Sequence, residues 1–382
     1  MRIIHKLLRA IGVTVAGAAI VHSAGAAETG VTKDFITLGQ SCALTGPASE
    51  LGTEMRLGAQ AYFNQVNQAG GVFGRQIKLV TLDDGYEPER AAANTKKLIG
   101  EEKVFSLFGY VGTPTANASL PIFTEAKVPF FGAFTGAESL RNPFNRQIFN
   151  VRASYFDETE KIVEQLTSLG VRNIAVFYQN DGYGQAGLAG VTRALTKRNM
   201  KITGTATVER NTVAVDAAVK ALVPQQPDAI VMISAYKSIA AFVRASKKAG
   251  YAGQFHNVSF VGSRALAEEL GTEGYGVAIS QVVPYPFGAG MPVVRDYGAA
   301  IKAASSAQAS FTSLEGYLAA RVFVEGLKRA GKDLTRDKFI SALESMNNVD
   351  IGGFNVNFSP KSHNGSTYVD LTMIGRNKNF VK

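Results

Sequence analysis

Cysteine is nearly missing from this chain of 382 residues, and histidine is scarce. The one cysteine, Cys42, has no partner for an internal disulfide. It also lies too far beyond the N-terminal apolar run, past Lys33 and Asp34, to be a lipid-attachment cysteine directly following a signal peptide. Of the four histidines, His5 and His22 fall in the N-terminal segment, which leaves His256 and His363. A histidine-based triad or multi-histidine metal site would need both and more. His256 sits beside an apolar run and His363 in a polar turn, so each reads as a packed or surface residue, and neither a metal nor a cofactor is expected. No run of Lys and Arg interleaved with aromatics occurs, which argues against nucleic acid as a partner despite a formal charge of +9. Low-complexity tracts and short-period repeats are missing as well.

What is present begins with a targeting signal. Arg2, Lys6 and Arg9 flank the start of an apolar run from Ile11 to Val21, and Ala24-Gly25-Ala26 supplies small residues at the cleavage spacing. That run is too short for a membrane span and reads as a secretory signal over residues 1–26. Its removal takes three positive charges from the chain and leaves +6. The remainder, in a chain with 46% hydrophobic and 19% charged residues, is long enough for two packed domains.

From Phe35 onward, short β-branched or apolar runs alternate with amphipathic segments, the pattern of an α/β protein with mostly parallel sheets. Strands are expected at Ile36–Gln40, Gln76–Leu82, Val104–Phe108, Val128–Phe131, Asn173–Tyr178, Ile202–Val208, Ala229–Ser234, Phe255–Val261 and Val277–Val283. Helices are expected between them. Beyond the Pro284-Tyr285-Pro286 break come helices at Pro292–Ala304, Ser313–Ala330 and Thr335–Ser345, then strands at Asn355–Phe358 and Tyr368–Ile374.

Two stretches look chemically able. In Phe105 to Leu120 an apolar run ends in Gly109, Gly112 and Thr113, and a helix begins at Pro114. Thr113 is a natural N-cap there, and the free N–H groups carry the positive end of the helix dipole, so the place suits a carboxylate or phosphate. The plainer reading is a hydroxyl that only caps the helix. Gly182-Tyr183-Gly184-Gln185-Ala186-Gly187 after a strand is formally a dinucleotide fingerprint, which keeps a secreted nucleotide-fold enzyme in view. The next acid after that unit's following strand, Glu209, comes late for a ribose ligand.

With these landmarks in order, the chain resembles the leucine/isoleucine/valine-binding-protein family, the extracytoplasmic substrate-binding components of ABC importers. The resemblance runs through the mature chain and is carried by LTGPASELG (Leu44 to Gly52), VNQAGGVFGRQIKLVTLDD (Val66 to Asp84), the Phe105 stretch with GAFTGA (Gly132 to Ala137), and NDGYG (Asn180 to Gly184). It implies two Rossmann-like lobes with parallel sheets joined by three crossovers, the type I periplasmic-binding fold. Residues 27–152 and 284–358 would form one lobe, and 153–283 and 359–382 the other. The ligand would lie in the cleft between them, where strand ends and helix N-termini converge.

Carried over by position, the resemblance implies a carboxylate-binding hydroxyl at Thr113 and a second carboxylate segment at Phe134, Thr135 and Gly136. Covering or cleft residues would be Leu51, Tyr183, and Ala235 or Tyr236. In amino-acid binders of the family an acid after a second-lobe strand pairs with the ligand's ammonium. Here Ser259 stands at that place, and no Asp or Glu occurs between Asp228 and Glu268. Arg152 is a candidate carboxylate clamp or interlobe ion pair, while Asp181 and Glu315 are acids able to turn into the cleft. The expectation is a monomeric, soluble periplasmic solute-binding protein without catalytic activity. It would pass a small carboxylate, aromatic or branched aliphatic, to an inner-membrane permease. The rivals are a branched-chain amino-acid binder of the same family, a secreted enzyme and a sensory receptor lobe.

Overall fold

The computed structural model describes residues 28–382; the segment read as a signal peptide lies outside them. The first half builds β1 (Phe35–Cys42), α1 (Ser49–Gln68), β2 (Gln76–Asp83), α2 (Pro88–Gly100), β3 (Ser106–Phe108), α3 (Thr113–Glu125), β4 (Phe130–Phe131) and β5 (Ile148–Phe149). After one crossover come α4 (Tyr155–Ser168), β6 (Ile174–Gln179), α5 (Gly182–Thr196), β7 (Thr205–Val208), α6 (Asp216–Leu222), β8 (Ala229–Ile233), α7 (Tyr236–Lys248), β9 (Gln254–Asn257), α8 (Ser263–Leu270) and β10 (Ala278–Gln281). The chain then returns through α9 (Pro292–Ala304), α10 (Phe311–Ala330), α11 (Arg336–Glu344) and the hairpin β11 (Val349–Asp350) and β12 (Asn355–Val356), and it ends in β13 (Asp370–Ile374) and β14 (Phe380–Val381).

Two sheets result. The first is parallel, in the order β2-β1-β3-β4-β5; the second runs β14-β13-β10-β9-β8-β6-β7 and is parallel except for β13 and β14. Helices α1, α9, α10 and α11 belong with the first sheet although the last three come only after β10 in the chain, with α10 lying along α1. The chain therefore passes between the lobes three times: after β5, after β10 and after β12. The α/β class and the two-lobe architecture agree with the sequence.

Parallel strands buried on both faces read as continuous apolar runs, and this fits β8, whose five residues are all buried. Beneath the first sheet Phe131, Phe323 and Phe339 meet, with ring centroids 5.1 Å apart for the first pair and 4.6 Å for Phe323 and Phe339. In the second lobe Phe177 and Phe242 stack at 3.9 Å. Each such buried ring contributes roughly 1.5–3 kcal/mol relative to exposure. Both remaining histidines are buried: His363 stacks on Phe149 at 3.7 Å and bonds the Ile148 carbonyl, and burial pushes the His256 imidazole down to about 4.

Some local expectations need correction. The run Phe255–Val261 is not one strand: β9 stops at Asn257, and Ser259–Val261 forms a 3-10 turn closed by Val261 N–H to Val258 O and Gly262 N–H to Ser259 O. Its second half is apolar because Phe260 is buried against Tyr86 and Phe134 of the first lobe, not because the backbone is extended. The strand expected at Val277–Val283 is only Ala278–Gln281. The short β5 and α6 carried too little periodicity to be seen.

Candidate functional site

The α3 terminus faces the second lobe, and its cap differs from the expected one. Gly112, not Thr113, holds the N-cap position, at φ +104° and with no side-chain cap bond. Glycine is required there, since that φ disfavours any other residue and a Cβ would stand 2.2 Å from Tyr86 Cε2. The Thr113 hydroxyl is thereby released from capping, and it bonds the Thr135 hydroxyl at 2.7 Å. Thr135 Oγ1 also accepts the Ala137 N–H at 3.2 Å and reaches the Tyr155 hydroxyl at 3.4 Å. The Thr135 amide is not free for a ligand, because it donates to the Ala133 carbonyl at 2.9 Å. Gly136 seats the next helix: its carbonyl accepts the Tyr155 N–H at 2.7 Å, and a Cβ on it would lie 2.6 Å from that nitrogen. Burial pushes the Tyr155 phenol up to about 12, with Arg152 pulling against it, so these hydroxyls act as hydrogen-bonding groups at neutral pH.

Aromatic rings close over this row of hydroxyls. Phe260, carried on the 3-10 turn, packs on Tyr183 at 4.6 Å, Phe134 at 5.2 Å and Tyr86 at 5.8 Å, while Tyr155 and Tyr183 lie 5.3 Å apart. Phe134 and Tyr86 come from the first lobe, Phe260 and Tyr183 from the second. Tyr86 is further tied across the cleft by Gln179 Nε2, which donates to its hydroxyl at 3.2 Å. The Tyr183 hydroxyl is buried and has no protein partner.

Behind the rings lies a buried ionic cluster. Arg152, 1% exposed, is on the first crossover. Its guanidinium donates to Glu158 Oε1 of α4 at 2.8 Å, to the Ser259 hydroxyl, and to Glu315 Oε1 of α10 at 3.4 Å. Its centre also sits 5.2 Å from the Phe134 ring and 5.8 Å from the Tyr155 ring. Burial alone would pull the guanidinium's pKa down, but Glu315 and Glu158 outweigh it and hold it above its ordinary value. Glu158 also accepts the Ser259 N–H at 2.7 Å and the Ser280 hydroxyl at 2.6 Å. Burial pushes the Glu315 carboxyl up to about 7, with Arg152 opposing and Glu158 adding to the rise. Arg152 Nε is buried without a partner.

The other sequence candidates spread out. Leu51, buried on the first turn of α1, abuts Gly262 across the cleft. Ala235 is the N-cap of α7. Tyr236 does not join Phe134 and Tyr183; it lines an indentation of about 460 Å³ at the mouth with Ser49, Glu50, Lys237 and Arg264. Asp181 is committed elsewhere: its carboxylate caps α5 by accepting the Tyr183 and Gly184 N–H groups at 2.9 and 3.4 Å, and it also takes Gln179 and Arg210. In the glycine-rich turn, a carboxylate of the chain itself therefore occupies the helix terminus that would hold a pyrophosphate, which speaks against the dinucleotide reading. Arg210 continues to Glu87 at 2.9 Å, where Asn211 also bonds, and so clasps the lobes. Among the described residues, no three His, Cys, Asp or Glu side chains are grouped to hold a metal.

Sequence reasoning missed Tyr86, Tyr155, Glu158 and Phe260. A signal existed for two of them. Ser154 and Asp157 form a capping box, with Ser154 Oγ accepting the Asp157 N–H and Asp157 the Ser154 N–H. That motif marks the start of α4 and puts Tyr155 and Glu158 on its first turn, beside the crossover.

Residues 36–379 match the family model described as periplasmic binding protein. The chain is 35% identical to a possible leucine/isoleucine/valine-binding protein from Rhodopirellula baltica, whose crystal structure superposes with a TM-score of 0.88 over 92% of this chain and 97% of that one. It is 24% identical over 319 residues to the leucine-, isoleucine-, valine-, threonine- and alanine-binding protein of Pseudomonas aeruginosa, covering 81% of this chain and 82% of the relative. An amino acid binding protein of the same organism is 28% identical over 171 residues, 44% of this chain and 45% of the relative. The chain thus spans about half the length of the first curated relatives it matches, 45% and 56%.

Proposed function

This chain belongs to the periplasmic binding protein family, and on that premise we propose that it holds a small carboxylate-bearing solute between its lobes and delivers it to an ABC importer permease. The observation that supports this reading is a pair of buried polar atoms without partners, Arg152 Nε and the Tyr183 hydroxyl, beside the Thr113, Thr135 and Tyr155 hydroxyls. Other buried polar atoms among the described residues also lack a partner, and what favours a ligand's polar group here is that these two lie beside the same row of cleft hydroxyls. The ligand would bind in the cleft without covalent chemistry. Leu51, Thr113, Phe134, Thr135, Gly136, Tyr183 and Ser259 stay in the proposed site, joined by Tyr86, Tyr155 and Phe260, with Ala235 and Tyr236 at its mouth. The lobes would divide at 152/153, 283/284 and 358/359, and would close as a hinge. Small-angle scattering of the monomeric mature protein should then give a smaller radius of gyration with ligand.

The favoured acid is aromatic or branched aliphatic and has no ammonium. Ser259, at the place of the family's ammonium-pairing acid, has its hydroxyl taken by Arg152, so a second cation there would meet the guanidinium. Leaving a buried charge unpaired costs about 3–5 kcal/mol, roughly 10²-fold to 10³-fold or more in affinity. The apolar body would lie against Phe134, Tyr183 and Phe260. A branched-chain amino acid is the second reading, and the observation favouring it is Glu315, which reaches the buried cluster. A thermal-shift panel of leucine and valine against their deaminated analogues and benzoate separates the two. A ligand at 100 times its dissociation constant adds about 2.7 kcal/mol of stability, and a shift with leucine alone would replace the first reading by the second. Mass spectrometry of whatever the purified, denatured protein releases identifies the natural solute.

A further inference from the structure

The Arg152 cluster holds one guanidinium and two carboxylates, with side-chain exposures of 1% for Arg152, 0% for Glu158 and 6% for Glu315. With both acids ionised it carries a net negative charge out of water, an arrangement that is costly unless a proton or a ligand neutralises it. The two acids are not equivalent. Glu158 accepts from three donors at 2.6 to 2.8 Å, namely Arg152, the Ser259 N–H and the Ser280 hydroxyl. Glu315 has one, Arg152 Nη1 at 3.4 Å, a long contact. Any proton the cluster takes falls on the less satisfied acid.

Resting on the interlobe site proposed above, we infer that Glu315 reads the charge of the ligand: the cleft takes up a proton on this carboxylate when it closes on a monoanionic acid and sheds one when it closes on a zwitterion. A ligand carboxylate at the orphan Nε of Arg152 places a third anion around a single guanidinium, and protonating Glu315 relieves that repulsion. An α-ammonium does the reverse, since it gives Glu315 the close cation that Arg152 does not supply. The proton comes from and returns to solvent.

The remaining charges around Glu315 leave this balance in place. Arg141, on the loop after β4, has its guanidinium pulled down to about 10 by burial, and it donates to the Ala137, Arg152 and Ala153 carbonyls rather than to Glu315. Tyr155 of α4 stays neutral at physiological pH. Glu54 of α1, the helix packed along α10, is engaged by Arg264 and the Ser310 hydroxyl at the start of α10. Glu315, with its carboxyl pushed to about 7, is poised to move either way near neutrality.

The test combines calorimetry with a measurement that needs no ligand. Benzoate, 4-methylpentanoate and leucine are titrated into the mature protein at pH 7 in phosphate and in Tris, whose ionisation enthalpies differ. The difference between buffers gives the protons moved per site. Expected are an uptake of about half a proton with either acid, an affinity for it that falls by up to about tenfold per pH unit above neutrality, and release with leucine. Glu315→Gln, a near-isosteric neutral change, should abolish the proton movement. In the ligand-free protein, difference infrared spectroscopy should show a protonated carboxyl band that titrates near neutrality and is missing in Glu315→Gln. Absence of that band overturns the assignment whatever binds, as do buffer-independent enthalpies or proton movement that persists in Glu315→Gln. If leucine binds with proton release while neither acid binds, the monoanion reading of the site fails and the role of Glu315 stands.

Discussion

Helices α3 and α5 begin a few ångströms apart on opposite sides of the cleft, a Cβ at Gly182 of α5 falling 3.9 Å from Cγ2 of Thr113, the first residue of α3. Both looked like anion sites in the sequence, one as Thr-Pro after a strand and the other as a glycine-rich turn. They differ in who satisfies the terminus. The α5 terminus is filled by Asp181, whose carboxylate takes two backbone N–H groups and is itself held by Arg210. The α3 terminus has no side-chain cap, and its Thr113 hydroxyl is turned toward Thr135. A helix N-terminus is a place for an anion only while the chain's own groups leave it open. The side chain at the N-cap decides this, more than the glycine pattern that follows.

The largest expected effect comes from disturbing the open terminus. Gly112→Ala asks a residue with a Cβ to adopt φ +104° and to overlap Tyr86. Strain of about 1–3 kcal/mol with overpacking of a similar size should lower unfolding free energy by a few kcal/mol in urea titration and loosen ligand binding. A variant as stable as the parent would mean that the α3 terminus is not fixed by glycine. Next in size is Thr113→Val. A hydrogen bond to a charged group contributes about 1.5–3 kcal/mol, so loss of this hydroxyl should weaken binding of the natural solute by roughly tenfold or more while leaving the melting temperature of the free protein nearly unchanged. Equal affinity by calorimetry would remove Thr113 from the site.

The contrast also shows why some of the site could be read in the sequence and some could not. Thr113, Phe134, Thr135 and Gly136 follow strands of the first sheet, where strand ends and helix starts are marked by glycine and proline. Phe260 and Ser259 were visible as residues but not as a turn, since a buried apolar run has the same appearance in a strand and in a 3-10 turn. Tyr155 and Glu158 lie on the first turn of α4, where the capping box marks the helix start but not what that turn faces. Their role arises only because the crossover brings Arg152 and α10 together, a contact between Arg152 and Glu315 across 163 positions that no local pattern encodes. Overall architecture needed only periodicity and order, while the charge balance of the cleft needed the fold.

A pH series tests that charge balance at a smaller scale. Glu315 has its carboxyl raised in the folded state to about 7 from an ordinary carboxylate value of 4.5. Between those values the native protein binds more protons than the unfolded chain, so this group's contribution to stability is fully present below its ordinary value and is lost as pH rises through about 7. The parent should therefore lose roughly 2 kcal/mol relative to Glu315→Gln between pH 5.5 and 8. Using the difference between the two proteins cancels the other titrating groups. A constant difference across the series would show that Glu315 keeps an ordinary carboxylate in the folded state.

The smallest expected effect lies at the closed terminus, where it sharpens the comparison most directly. An N-cap carboxylate replaced by alanine costs typically about 0.5–2 kcal/mol, because two backbone donors lose their acceptor. Asp181 also holds Gln179 and Arg210, but Arg210 keeps Glu87 at 2.9 Å and so is not left unpaired. Asp181→Ala should therefore cost about 1 kcal/mol in urea titration. Asp181→Asn retains an oxygen acceptor at the cap and should cost only a few tenths. The same pair reports on the anion question: with the carboxylate gone, the Tyr183 and Gly184 N–H groups stand free like those of α3, and millimolar sulfate should stabilise Asp181→Ala more than the parent. Asn should behave as the parent does, since its amide oxygen still fills the terminus. If sulfate raises all three melting temperatures equally, the helix end is not what attracts the anion, and the difference between α3 and α5 must lie in the hydroxyls of Thr113, Thr135 and Tyr155 rather than in their caps.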